Sequence, residues 1–142
     1  MSGERLLGID LGDARIGLAI DDGAGDIRGL ATMRRAASID DDVRRLTTIC
    51  AEQRATRLIV GLPLHSDGAA SEQGRRTEEW AVRISAALAL PCEFVDERYS
   101  SLEAEAALRD RRSTRDRKRY DKAAIDSAAA TVVLERWLSG ER

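Results

Sequence analysis

The sequence holds 142 residues, 43% of them apolar and 34% charged, with a formal net charge of −2. That length suits one domain of roughly 100–200 residues with a core that needs no disulfide staples. No run approaches about 18 consecutive apolar residues, so no membrane-spanning segment is expected, and charged positions interleave with periodic apolar ones in a way disordered chains do not. Met1 to Leu7 is charged and enters an apolar strand at once, unlike a signal peptide. Cys50 and Cys92 sit in apolar periodic segments without metal-type spacing. They are expected to be reduced core thiols of a cytoplasmic protein.

In chain order, Arg5 to Asp10 (RLLGID) reads as a short buried strand. Ile16 to Ile20 is a second, reached through Gly12 and a tight turn, and Gly29 to Met33 a weaker third. Three strands with short links imply an antiparallel meander. Ser38 then reads as an N-cap, with Asp40, Asp41 and Asp42 in the first turn, where the helix dipole favours acids. Ile39, Val43, Leu46, Ile49 and Cys50 follow at helical spacing. Arg57 to Leu62 is a fourth strand, apolar enough to be covered on both faces. Pro63 to Gly68 is a loop, and Ser71 to Leu88 an amphipathic helix carrying Trp80, Ile84 and Leu88. Cys92 to Glu97 is a fifth strand. Ser100 with Glu103 forms a capping box for a helix to about Arg109. A last helix runs from Asp121 to Leu138. The order β-β-β-α-β-α-β-α-α predicts an α/β fold over residues 1–142. Its sheet is five-stranded and mixed, with the meander first and helices on both faces.

Charge is uneven along the chain. Arg109, Arg111, Arg112, Arg115, Arg117, Lys118, Arg119 and Lys122 face only Asp110, Asp116 and Asp121 in their stretch. The segment therefore carries +5 and the rest of the chain −7. Such asymmetry points to a polyanionic partner; a solvated basic loop is the alternative.

Three acids fall where a carboxylate is costly. Asp10 ends the first strand directly after Leu6, Leu7 and Ile9, at the strand end where α/β folds bind ligands. Its alternative role is to cap the turn into Gly12. Asp96 and Glu97 end the fifth strand; alternation puts them on opposite faces, so one of them can join Asp10, and the residues alone leave open which. Asp126 shares a helical stripe with Ala129, Ala130, Val133, Trp137 and Leu138, so it needs a partner on the face toward the sheet. A salt bridge to Lys122 would satisfy it equally. Acids meeting in this way suit hard divalent cations such as Mg²⁺ or Mn²⁺, which can serve phosphoryl displacement. The basic run would hold the phosphate backbone that the acids repel. Other catalytic systems fit poorly. His65 is the only histidine, and there is no nucleophile elbow, phosphate loop, dinucleotide fingerprint or zinc spacing.

Four segments together resemble the YqgF/RuvX family, which has an RNase H-like fold. They are Gly8-Ile9-Asp10-Leu11-Gly12 with Arg15-Ile16-Gly17; Val60-Gly61-Leu62-Pro63-Leu64 with Asp67-Gly68; Val95-Asp96-Glu97-Arg98-Tyr99-Ser100-Ser101; and Asp126-Ser127-Ala128-Ala129-Ala130. The resemblance implies a divalent-metal nuclease whose acids match Asp10, Glu97 and Asp126, and it selects Glu97 over Asp96. It implies Mg²⁺ or Mn²⁺ as cofactor, with Arg15, Arg98 and the basic run on the substrate backbone. Structured RNA, notably the 5′ end of pre-16S rRNA, or branched DNA is the implied partner, with ribosomal assembly intermediates beside it. The chain would act as a monomer, or as a homodimer where a two-fold junction needs paired cuts. His65 departs from the family, which often carries asparagine there. Five aromatic residues in all give little for a base-stacking platform. A non-catalytic binding module of the same fold is the alternative from another class. A sugar-kinase or actin-type ATPase needs a second lobe for which the chain has no room.

Overall fold

The computed structural model describes residues 4–12, 14–36, 38–62, 72–96 and 122–140, with side chains of the last segment described from Ala128 onward. The expected helix from Ser100 to Arg109, the loop carrying His65 and most of the basic run lie outside those residues.

The strands are β1 (Leu6–Leu11), β2 (Arg15–Asp21), β3 (Ile27–Gly29), β4 (Met33–Arg34), β5 (Arg57–Leu62) and β6 (Cys92–Asp96). The helices are α1 (Ile39–Gln53), α2 (Glu72–Leu88) and α3 (Lys122–Leu138). Sheet order is β3-β2-β1-β5-β6, with β4 also paired to β2. The β1–β2, β2–β3 and β2–β4 pairs are antiparallel, and β1–β5 and β5–β6 are parallel. The sheet is therefore mixed with its meander first, as expected, but the described residues give it six strands rather than five.

The sixth strand comes from a break in the expected third. Gly29 pairs with Ala19 and Met33 with Ile16, so three residues (Leu30, Ala31, Thr32) stand opposite two (Gly17, Leu18). One extra residue is the signature of a β-bulge. Its cause is packing: Leu30 and Met33 are three apart and would face opposite sides of an unbroken strand, yet both join the same apolar cluster. Leu30 keeps its ladder bond, its amide donating to the Leu18 carbonyl at 2.9 Å.

The two faces of the sheet bury different cores. Leu7, Ile9, Leu11, Ile16, Leu18, Ile20, Leu58 and Val60 face α1 and α2 and pack on Leu46, Cys50, Trp80 and Ile84. Leu6, Ala19, Ile59 and Val95 face α3 and pack on Ala130, Val133 and Leu134. The α3 stripe differs from expectation at one position. Leu134 is fully buried while Leu138, the last helical residue, is 47% exposed because it lies beyond the buried stripe.

Local chemistry explains the helix ends. Ser38 caps α1 as expected, its hydroxyl accepting from the Asp41 amide at 3.3 Å. Asp40, Asp41 and Asp42 all lie in the first turn as expected, and Asp42, which is buried, has a further role. Its carboxylate accepts from the Ala36 amide at 3.0 Å and from Trp80 Nε1 at 3.4 Å, which ties the start of α1 to α2. Both cysteines are free, Cys50 buried and Cys92 half-buried. Among the described residues no helix is long and apolar enough to cross a membrane.

Candidate active site

The carboxyl ends of β1, β5 and β6 lie along one edge of the sheet, because the three strands are parallel neighbours. Asp10 stands at that edge, half-buried, on the face shared with Gly8 and α3. Its antiparallel neighbour is Gly17. The parallel register that pairs Ile9 with Val60 brings it level with Gly61 on the other side. Both flanking positions on this face thus carry no side chain, and the carboxylate sits in open room. Among the described residues it accepts no hydrogen bond and forms no ion pair.

Gly8, two residues earlier, shows why the α3 face is built from small residues. A Cβ there would lie 2.6 Å from Leu134 Cγ and 2.9 Å from the Ala130 carbonyl oxygen. Only glycine lets α3 lie this close to β1. Position 126 is one helical turn before Ala130 on α3, and Asp10 is one pleat repeat after Gly8 on β1. The Asp126 side chain lies outside the described set, as does all of Glu97.

The pleat does decide about Asp96. Asp96 pairs with Leu62, in register with Cys92 opposite Leu58 and Phe94 opposite Val60. It therefore points to the α1–α2 side, away from Asp10. Its main-chain carbonyl is held by α3, Arg136 donating to it at 2.8 Å.

Among the expected substrate-binding residues, Arg15 opens β2 on the same face as Gly17, two residues from the partner of Asp10. It is half-buried and forms no ion pair with a described residue. The turn beside it is tight, the Gly12 amide donating to the Arg15 carbonyl at 2.9 Å. Arg98 and Arg109 to Arg119 lie outside the described residues, and Lys122 is described only as the first residue of α3. Among the described residues no group of three metal-ligating side chains gathers; of the three expected ligands, only the Asp10 side chain belongs to that set. The donor present suits a hard cation: a half-buried carboxylate, unpaired within the described set, between two glycines.

A cavity of about 310 Å³ opens beside this edge, lined among the described residues by Leu11, Gly12, Arg35, Gln73, Arg76 and Thr77. Sequence reasoning missed it because these residues come from segments far apart in the chain. The one local signal is the spacing of Gln73, Arg76 and Thr77, which puts them on one side of α2.

A family model described as "RuvX: Holliday junction resolvase" matches residues 4–140. The chain belongs to the RuvX family. Curated relatives agree along most of their length. "Putative pre-16S rRNA nuclease" of Rippkaea orientalis is 44% identical over 139 residues, covering 96% of both chains. The protein of the same name from Crocosphaera subtropica is 41% identical, covering 96% of this chain and 93% of that one. Among solved structures, Thermus thermophilus RuvC in complex with a Holliday junction substrate superimposes with a TM-score of 0.61 at 13% identity, covering 96% of each chain. The fold of this RuvX chain is thus RuvC-like, the RNase H-like architecture expected of it.

Proposed function

We propose that this chain is a divalent-metal endonuclease that processes the 5′ end of pre-16S rRNA in the cytoplasm. It is a hydrolase of nucleic-acid phosphodiester bonds, acting as a single domain over residues 1–142. The observation that carries this reading is the end-to-end likeness to relatives named for that activity. The open, glycine-flanked carboxylate of Asp10 supports it at the carboxyl edge where such folds bind ligands.

Asp10, Glu97 and Asp126 would hold one or two Mg²⁺ or Mn²⁺ ions. When bound, the ions supply activation of the attacking water and neutralise charge on the phosphate. Asp10 offers its carboxylate oxygens from a rigid strand end, so little reorganisation is needed when substrate arrives. Arg15 meets the phosphate backbone on the same face. Arg98, Arg109, Arg111, Arg112, Arg115, Arg117, Lys118, Arg119 and Lys122 offset the repulsion between an acidic site and an anionic strand. Binding should therefore weaken steeply with salt.

The test is cleavage of a 5′-extended small-subunit rRNA precursor beside a four-way DNA junction, with Mg²⁺ or Mn²⁺, by wild type and Asp10→Asn. The precursor should be cut, and the variant should be slower by about 10²-fold or more while still folding and binding RNA. Undiminished cleavage by Asp10→Asn contradicts the site. The family description favours a second reading, resolution of branched DNA. Faster cutting of the junction than of the precursor by a dimer would establish that reading instead.

A further inference from the structure

We propose that the cavity between the carboxyl end of β1 and the first turns of α2 is a phosphate subsite. It takes a backbone phosphate of the nucleic-acid strand next to the one cut at Asp10, and so rests on the nuclease reading above. Three observations converge on it.

The first is charge. Among the described lining residues, Arg35 and Arg76 carry charge and none is a carboxylate. Neither guanidinium pairs with an acid among the described residues. Arg35 spends one donor on the Gly12 carbonyl, at 3.0 Å, which fixes it against the β1–β2 turn. The remaining donors of its planar fork suit a phosphate. The second is a buried hydroxyl. Thr77 is 2% exposed and lines the same cavity, yet its side chain forms no hydrogen bond with a described residue. A buried hydroxyl without a partner is destabilising, and a bound anion would supply the missing acceptor. The third is position. Leu11 lines the cavity and directly follows Asp10, with Cα atoms about 3.8 Å apart. The two side chains point to opposite faces of one strand end. A strand that reaches Asp10 on the α3 side and bends over the sheet edge passes the cavity on the α2 side. Arg76, exposed, stands at the mouth, and Thr77 lies within.

The test is fluorescence anisotropy of a labelled short single-stranded RNA with the full chain in EDTA, over a salt series, beside thermal melting. Arg76→Ala should weaken binding several-fold and lower the salt slope by about one, with a larger loss for Arg76→Glu. Arg83→Ala removes the same charge two turns further along α2, away from the cavity, and should change binding less. Thr77→Val should weaken binding several-fold while melting at the wild-type temperature or above, because it removes an unpaired buried hydroxyl. A purely structural Thr77 would raise melting and leave RNA affinity unmoved. Wild-type affinity and salt slope in both Arg76→Ala and Thr77→Val overturn the subsite. So does an Arg83→Ala loss equal to that of Arg76→Ala. If inorganic phosphate raises the melting temperature of wild type but not of Thr77→Val while RNA affinity stays unchanged, the cavity binds free anion and the strand subsite is wrong. The two readings fail separately: cleavage that survives Asp10→Asn sinks the nuclease without moving anisotropy, and unchanged anisotropy sinks the subsite while cleavage still depends on Asp10.

Discussion

At the scale of single residues, position matters more than residue type. Asp10, Asp21 and Asp42 are all acids near strand or helix ends, and they do different things. Asp21 is buried and accepts from the Gly23 and Gly25 amides at 3.3 and 3.2 Å, closing the β2–β3 turn. Asp42 holds Ala36 and Trp80. Asp10 alone among the three has no described partner, which is why it reads as the functional one. The pattern LLGID already singled it out, since a carboxylate after a buried run is costly unless used. The role of Asp42 was not legible, because Trp80 is 38 residues away and no local rule links the two. Gly8 offers a direct check. Gly8→Ala places a methyl group against Leu134 and the Ala130 carbonyl, and urea unfolding should show a loss of about 1–3 kcal/mol. The thiols provide a second. Burial pushes Cys50 from 9.0 up to about 11 and Cys92 likewise to about 11, there with the Glu93 charge adding. A folded thiol that keeps its proton more tightly than the unfolded one contributes stability that is full below about pH 9. That contribution fades as pH rises toward about 11. Urea midpoints should fall across this window, and less steeply for Cys50→Ala than for wild type.

At the scale of elements, β1, β2, β5 and β6 were legible because each is a short stretch of strand length built around apolar residues. The helices were legible from their 3.6-residue spacing, and α1 also from its Ser38 cap. The bulge between β3 and β4 was not. Its extra residue is set by which side chains fill the core under α1 and α2, a tertiary matter that Gly29 to Met33 do not reveal locally. It lies opposite Gly17, the pairing partner of Asp10, so the strand irregularity and the open ground around the carboxylate fall together. Helix ends carry another cost. Arg54 caps α1 in the left-handed region at φ 57°, where its amide donates to the Ala51 and Cys50 carbonyls. A side chain is strained there. Arg54→Gly should raise stability by about 0.5–1 kcal/mol, read as a higher urea midpoint with unchanged slope.

At the scale of the molecule, the architecture divides labour between faces. One face of the sheet carries α1 and α2 and most of the apolar core; the other carries α3 and the small residues that let it approach closely. The edge between them collects the carboxyl ends of β1, β5 and β6. The pleat sends Asp96 to the first face and Asp10 to the second, so Asp96 does not share a face with Asp10 and Glu97 is left as the candidate partner. Sequence alternation alone left that choice open, and family likeness picked Glu97. The register adds one physical fact to that choice: Asp96 lies on the opposite face from Asp10. The cavity walls of Arg35, Arg76 and Thr77 were invisible beforehand because only the folded sheet brings β4 and α2 to the end of β1. The nuclease reading requires Asp10, Glu97 and Asp126 to form a shared divalent-metal site. Its most direct test is Mn²⁺ binding followed by electron paramagnetic resonance in wild type, Asp10→Asn, Glu97→Gln and Asp126→Asn, each confirmed folded by circular dichroism. Wild type should bind Mn²⁺ and every variant should lose affinity by about 10-fold or more; equal affinity in all four proteins would overturn the shared site.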